Sequence, residues 1–153
     1  MKRKTLSKSE IKELNEQLAP FGFSFDLKDQ VEIAEDEAEC VSVQGKPHFF
    51  SLENQWVPGL RMLLEGKVQL KKVVVDMGAV KFVCNGADIM RPGVREIDDG
   101  IAEGMLVQVI DEKNRKPLAV GKALFSSEGM KARAQGKVIK NLHYVGDKLW
   151  QRG

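Results

Sequence analysis

Apolar positions in the first twenty residues repeat with the period of a helix. Ser7 and Glu10 have the spacing of a capping box, in which each side chain hydrogen-bonds the backbone of the other residue. The apolar stripe that follows consists of Ile11, Leu14 and Leu18. The pattern predicts a helix over residues 2–18, which Pro20 and Gly22 would end.

The period of the apolar positions then shortens to two. Phe21, Phe23 and Phe25 alternate with small residues, which predicts a half-buried strand or an extended entry to one. Aromatic residues at this spacing could form a ladder for stacking bases, but they are more typical of a protein core. Further strands are predicted at residues 31–33, 40–43 and 48–52, the last two forming a hairpin.

A short helix is predicted after this hairpin, over residues 58–65. Pro58 suits the first helical turn, and Gly66 suits the position just past the end. The buried face of this helix is expected to consist of Leu60, Leu63 and Leu64. The first seventy residues therefore predict a small α/β unit.

Residues 71–94 combine two strand signals with a short helix and three glycine turns. The predicted order is a strand at residues 73–75, a turn at Gly78-Ala79, a helix at 80–84, a turn at Asn85-Gly86, a strand at 87–90 and a turn at Pro92-Gly93. Glycine lacks a Cβ, so the backbone can turn tightly there and bring its N–H groups close to a ligand. We therefore consider this compact segment a candidate anion-binding surface.

The remaining residues alternate short strands with polar turns. Strands are predicted at residues 105–110 and 117–125 around a charged hairpin tip, and a final strand pair is predicted around Gly146-Asp147. Gly121 within a predicted strand indicates a bulge or tight bend. Many short strands with glycine bends favour a small pseudo-barrel.

The segment from Asp76 to Val94 resembles the start of a PUA domain, an RNA-binding module named after pseudouridine synthases and archaeosine transglycosylases. The pattern is D-x-G-A-V-K-x-V-x-x-G-A-D-I-M-x-P-G-V. The chain is also similar, at residues 47–50, 57–64 and 140–150, to the malignant-T-cell-amplified-sequence proteins and their archaeal relatives. The resemblance is weak over residues 1–45 and good from about Pro47 onward.

The resemblance and the pattern together predict an α+β protein of two domains. A small N-terminal α/β domain, which the resemblance implies is a pre-PUA domain, occupies residues 1–70. It is expected to pack on a C-terminal PUA pseudo-barrel of mostly antiparallel strands at residues 71–153. The linker near residues 67–71 is short, which favours packed rather than loosely connected domains.

Charge is distributed unequally between these halves. Residues 1–70 carry nine Lys and Arg against twelve Asp and Glu, a net charge of −3, whereas residues 71–153 carry fifteen against ten, a net charge of +5. A basic half suits phosphates, although both halves could simply be solvated surface. The acidic stretch at residues 26–39 is either a solvated strand and turn or a docking surface for a basic protein partner.

Residue types that would support catalysis or metal binding are scarce. His48 and His143 are the only histidines, and neither has a metal-ligand spacing. Cys40 and Cys84 form no C-x-x-C pair and are typical of reduced thiols in a cytosolic protein. Enzymes with PUA domains carry their catalytic aspartate in a separate large domain, so the resemblance implies a non-enzymatic protein. We expect no catalytic residue, no cofactor and no metal.

No apolar run approaches the roughly 18 residues that a membrane span needs, and no signal-peptide core follows the basic start of the chain. We therefore expect a cytoplasmic protein without a membrane partner.

The resemblance also implies which residues contact RNA. They are Gly78, Ala79, Lys81, Gly86, Ala87, Asp88, Met90, Arg91, Pro92 and Gly93, with Lys140 and His143 nearby. Lys81 and Arg91 would neutralise phosphates, while the glycine turns would bring backbone amides close to the RNA. The basic residues Lys131, Arg133 and Lys137 are a possible extension of this face.

The resemblance implies an RNA-binding protein of translation, which binds ribosomal RNA or tRNA at the small ribosomal subunit in initiation or recycling without modifying it. A density-regulated-type protein is an expected partner through the acidic N-terminal domain, and DNA is not expected to bind. The alternative is an accessory RNA-specificity subunit for tRNA or rRNA modification or for ribosome biogenesis.

Overall fold

The computed structural model describes residues 2–152, which form two sheets connected by short helices. The first sheet contains five antiparallel strands in sequential order. They are β1 (Lys2–Thr5), β2 (Val31–Glu35), β3 (Glu39–Val43), β4 (Lys46–Leu52) and β5 (Gln55–Pro58). Helix α1 (Lys8–Leu18) follows the first strand, and helix α2 (Leu60–Leu64) follows the last one.

The second sheet contains six strands and is barrel-like. They are β6 (Lys71–Val75), β7 (Ile89–Met90), β8 (Val94–Ile97), β9 (Leu106–Asp111), β10 (Pro117–Ala123) and β11 (Lys137–Tyr144). The order is β7-β11-β10-β9-β6-β8, and only the β6–β9 pair is parallel among these described strands. The helices of this half are α3 (Val80–Val83), α4 (Ser127–Lys131) and α5 (Lys148–Arg152). The predicted α+β fold class is confirmed.

The first predicted helix is correct at its capping box but wrong at its start. Ser7 is the N-cap, its side chain accepts a hydrogen bond from the Glu10 N–H, and the Glu10 carboxylate accepts one from the Ser7 N–H. Residues 2–5 instead form β1, which pairs with β2. The helix begins after its capping residue, Ser7. The segment before it forms a strand because it pairs with β2, about thirty residues later in the sequence.

Of the two alternatives predicted around the three phenylalanines, the strand is absent from the described residues, whereas their assignment to the core is confirmed. Residues 19–21 form a turn of 3-10 helix, and the side chain of Asn15 then binds both the N–H and the carbonyl of Phe25. Phe25 is buried, and Phe21 and Phe23 pack against the same core. The Asn15 amide thus supplies the backbone hydrogen bonds that a neighbouring strand would have made.

Two further predictions at element ends are corrected. Pro58 ends strand β5 rather than opening the helix, and Met62 is buried in α2 while Leu64 is 43% exposed. The predicted strand pair at Gly146-Asp147 is absent from the described residues. There the Asp147 carboxylate accepts a hydrogen bond from the Trp150 N–H, and the chain continues into helix α5.

The two sheets share one hydrophobic core. The cluster built on Ile11, Leu18 and Phe49 also contains Leu106 and Val120 of the second sheet. A second cluster lies entirely within the C-terminal half. The division at residue 70 remains a prediction, but the shared core means that separating the halves would expose apolar surface on both. No helix within residues 2–152 is long and apolar enough to span a membrane.

Candidate nucleic-acid interface

Two of the predicted glycine turns lie side by side. After β6, the Asp76 carboxylate accepts a hydrogen bond from the Ala79 N–H at 2.9 Å and so caps a 3-10 turn over residues 77–79. The Asp76 N–H donates to the carbonyl of Gly93. A Cβ atom on Gly93 would lie 3.4 Å from the Cβ of Ala79. The sequence therefore brings these two turns together at the end of β6.

The third turn, at Gly86, is held by strand β11. Gly86 has a φ of +91°, and a Cβ atom there would lie 3.2 Å from the Tyr144 ring. The Asn141 side-chain amide donates to the carbonyls of Val83 and Ala87, at 3.1 and 3.0 Å. Its backbone N–H donates to the Asp88 carboxylate at 2.8 Å. Asn141 was not among the predicted site residues, although an asparagine within a strand is unusual enough to have signalled a special role.

An exposed apolar groove of about 290 Å³ lies between α3 and β7. Its rim includes Phe82 and Met90, whose surfaces are 57% and 49% exposed. Its floor is formed by residues that include Val75, Val83 and Ile89. Large apolar side chains exposed together in this way mark a contact site.

Phe82 is absent from the predicted set, although the sequence contains a signal for its position. The same helical spacing that predicts a buried Val83 turns the preceding residue, Phe82, about 100° away from it around the helix axis and out of the buried face. The Lys81 Nζ lies 5.2 Å from the centre of the Phe82 ring, so a cation and an aromatic face are presented together.

Asp88 lies at the edge of this groove and has its own partners. Lys137 Nζ lies 2.8 Å from the Asp88 carboxylate. Burial raises the pKa of Asp88, but the hydrogen bonds from Lys137 and from the Asn141 N–H outweigh it, so the pKa is lowered overall. Asp88 is therefore ionised at neutral pH, and the positive charge of Lys137 balances its negative charge.

Arg91 and His143 were predicted to contact RNA, and the structure gives both of them internal partners. The Arg91 guanidinium donates to the carbonyls of Met130 and Val94, at 2.8 and 3.2 Å. His143 is only 1% exposed and is hydrogen-bonded within the protein. The prediction that His143 lies on the surface is therefore wrong. Arg91 uses some of its N–H donors for hydrogen bonds within the protein.

The remaining basic residues near the face are also engaged. Lys140 pairs with Glu53 of the N-terminal half. Lys131 lies 2.6 Å from the Asp99 carboxylate, and the Arg133 guanidinium stacks 3.7 Å from the centre of the Phe125 ring. Their membership in an RNA face remains a prediction.

Within residues 2–152, no three His, Cys, Asp or Glu side chains come close enough together to hold a metal ion. The groove instead combines apolar side chains with the Lys81 ammonium group beside the Phe82 ring. This arrangement is suited to binding rather than to proton transfer.

Comparison with known proteins identifies both halves of the chain. Residues 71–145 match the PUA domain, and residues 2–65 match a domain of unknown function, DUF1947. An uncharacterized protein of Methanocaldococcus jannaschii is 43% identical over 97% of this chain and 95% of its own length. Translation machinery-associated protein 20 of Saccharomyces cerevisiae is 32% identical, covering 80% of this chain and 72% of the yeast protein.

A third relative and a solved structure agree with these matches. Malignant T-cell-amplified sequence 1 of Rattus norvegicus is 34% identical over 80% of this chain and 71% of the rat protein. The crystal structure of a hypothetical protein from Pyrococcus horikoshii covers 98% of both chains, with a TM-score of 0.82 and 37% identity. The similarity therefore extends over both halves of the chain.

Proposed function

Because this chain belongs to the family of Translation machinery-associated protein 20 and the malignant T-cell-amplified sequence proteins, we propose that it binds structured ribosomal RNA or tRNA at the small ribosomal subunit. It acts there, in the cytoplasm, in initiation or recycling and does not modify the RNA. The observation that carries the proposal is the exposed groove of Phe82 and Met90 beside Lys81, within the segment that matches the PUA domain.

The groove offers the three kinds of contact that RNA recognition uses. Phe82 presents an aromatic surface on which an unpaired base can stack. Lys81 offers a cation for a phosphate, and the turns at Gly78 and Gly93 leave room for the RNA backbone. Contacts to phosphate position the RNA, and contacts to bases supply selectivity, so the groove supports binding of an RNA with an unpaired base beside a phosphate.

The acidic stretch at residues 26–39 is proposed as a docking surface for a density-regulated-type protein. Part of this stretch is already paired, since Asp36 and Glu37 lie near Arg152 and Lys148 of α5. Glu35, at the end of β2, is exposed and remains available beside these two residues. A basic partner would therefore bind beside α5 rather than replace its contacts.

Binding of the full-length chain to tRNA and to ribosomal RNA fragments over a range of salt concentrations tests the RNA proposal. We expect the Lys81→Ala/Phe82→Ala variant to bind RNA more weakly than the wild type. The Lys113→Ala/Lys116→Ala variant, changed at the tip of the β9–β10 hairpin, should bind RNA more strongly than the Lys81→Ala/Phe82→Ala variant. Co-sedimentation then separates the roles. Association with small ribosomal subunits supports translation, whereas association with an RNA-modifying enzyme supports the accessory-subunit alternative.

A further inference from the structure

A second cleft of about 290 Å³ lies in the N-terminal half, between β4 and α2. Three basic side chains line it: Lys46, Arg61 and Lys67. Glu65 is its one acidic lining residue, and the exposed Leu64 forms part of its wall. Three cations against one carboxylate stand out in a half whose net charge is −3.

The cations of this cleft are largely uncommitted among the described residues. Lys46 has no side-chain hydrogen bond or ion pair within residues 2–152, and Lys67 Nζ lies 3.9 Å from Glu65, at the limit of an ion pair. The Arg61 guanidinium stacks 4.2 Å from the centre of the Trp150 ring, which orients it without using its N–H donors. The cleft therefore presents free, partly pre-oriented donors for an anion.

His48 adds a hydrogen-bonding group of a different kind. Its Nδ1 lies 2.7 Å from the Lys46 carbonyl, which can only accept, so Nδ1 carries the ring proton. Burial is the main cause that lowers the pKa of His48, and the nearby Lys67 lowers it further. The imidazole is therefore neutral at pH 7, with Nε2 as an acceptor that suits a hydroxyl group.

The cleft is connected to the α3 groove by a series of contacts. Arg61 stacks on Trp150 of α5, whose N–H is bound by Asp147. Asp147 also binds the N–H of Tyr144, and the Tyr144 ring lies beside Gly86. One continuous segment, the end of β11 with α5, thus contacts both the cleft and the Gly86 turn beside the groove.

We propose that the cleft of Lys46, Arg61 and Lys67 is a second RNA-backbone site, which binds phosphate and ribose of the same RNA that contacts the α3 groove. The proposal rests on the proposed RNA-binding function. The Nε2 atom of His48 can accept a hydrogen bond from a hydroxyl group, and three cations lie beside it. Each RNA nucleotide offers a ribose hydroxyl next to a phosphate, whereas an acidic peptide offers carboxylates without a hydroxyl beside each one. The N-terminal half then contributes directly to RNA affinity despite its overall negative charge.

A charge-matched pair of full-length variants tests this site. Lys46→Gln/Lys67→Gln removes two exposed cations from the cleft, and Lys113→Gln/Lys116→Gln removes two exposed cations from the β9–β10 hairpin. Each neutralised phosphate contributes slightly less than one unit to the slope of log affinity against log salt for tRNA. We expect the cleft variant to lose up to about two units and the hairpin variant to lose little, both with wild-type melting. Equal slopes in the two variants would overturn the proposal.

A titration with inorganic phosphate, followed by the NMR signals of His48 and Arg61, separates this site from the proposed function. We expect these signals to shift in the wild type and in Lys81→Ala/Phe82→Ala, but not in Lys46→Gln/Lys67→Gln. If the wild-type protein binds no RNA, the proposed function is refuted. The proposal for the cleft is then refuted as well, even if inorganic phosphate shifts the NMR signals. If tRNA leaves His48 unchanged while polyglutamate shifts it, the cleft is a site for acidic protein and the RNA assignment is wrong.

Discussion

The backbone N–H of Leu60 donates a hydrogen bond to Nε2 of His143 at 3.1 Å, although the two residues are 83 positions apart in the sequence. An N–H can only donate, so Nε2 accepts and Nδ1 carries the ring proton. Nδ1 lies 2.8 Å from the Asp147 carboxylate, to which it donates. A neutral, buried histidine therefore ties the first turn of α2 to the end of β11.

Replacing His143 with leucine should destabilise the protein by about 1–3 kcal/mol, because it leaves the buried Leu60 N–H without an acceptor. Urea unfolding of the purified full-length chain measures this change. RNA binding by the folded protein should persist, since His143 lies in the interior. Wild-type stability of the variant would show that the hydrogen bond contributes nothing.

Asp147 should make stability depend on pH in the acid range. Burial raises the pKa of its carboxyl group, but hydrogen bonds from His143 and from the N–H groups of Trp150 and Tyr144 outweigh burial and lower the pKa. A lowered folded-state pKa stabilises the protein fully above the ordinary value of about 3.9, and this contribution is lost as pH falls toward the lowered pKa. The wild type should therefore exceed Asp147→Asn in stability at pH 6, and the difference should shrink below about pH 4. Parallel urea titrations at several pH values measure this difference. A difference that stays constant with pH would contradict this role of Asp147.

Lys81 and Arg91 should separate binding from folding. Lys81→Ala removes an exposed cation and should reduce the salt slope of RNA binding by up to about one unit, with unchanged melting. Arg91→Ala leaves the carbonyls of Met130 and Val94 without their charged donor and should cost about 1–3 kcal/mol. Thermal melting and RNA titration of both variants give the two readouts. A stable Arg91→Ala protein with weakened RNA binding would instead assign Arg91 to the interface.

Gly121 and Gly78 should respond differently to an added methyl group. The predicted bulge is present at Gly121, where a Cβ atom would lie 2.4 Å from Ile139 Cγ2 and 2.7 Å from the Lys140 carbonyl oxygen. Gly121→Ala should therefore cost about 3 kcal/mol, because backbone cannot move away cheaply. At Gly78 the nearest atom would lie at an ordinary 3.4 Å, so Gly78→Ala should fold normally. Comparable unfolding midpoints for the two variants would contradict this difference.

Reversing the charges of Asp36 and Glu37 should loosen helix α5 only slightly. Asp36 and Glu37 form ion pairs with Arg152 and Lys148 of α5, and in each pair at least one side chain is exposed to solvent. Exposed ion pairs contribute about 0.2–1 kcal/mol to stability. The Asp36→Lys/Glu37→Lys variant should therefore lose about 1 kcal/mol at low salt and less at high salt. If this stretch also docks a partner, ribosome association should fall while affinity for purified RNA stays the same or rises. A sharp loss of RNA affinity in a folded variant would place the acidic stretch in the RNA site.

The features that the sequence predicted correctly are those set by neighbouring residues. The capping box at Ser7, the left-handed turn at Gly86 and the bulge at Gly121 each follow from local steric and hydrogen-bonding requirements. The two strand signals around a charged tip also located the hairpin of β9 and β10, whose strands are adjacent in the chain. The resemblance to a family is not needed to explain these elements, because each is decided within a few residues.

The features that the sequence did not predict depend on partners far away in the chain. Strand β1 exists because β2 lies beside it, and β6 pairs in parallel with β9 across thirty-odd residues. The sequence indicated that Arg91 and His143 are polar and near the site, but only the tertiary structure supplied their buried acceptors and donors. Local sequence cannot tell whether a basic side chain will stay exposed or will bind backbone carbonyls inside the protein. The free-energy difference between these two placements comes from contacts that form only when the two sheets have packed together.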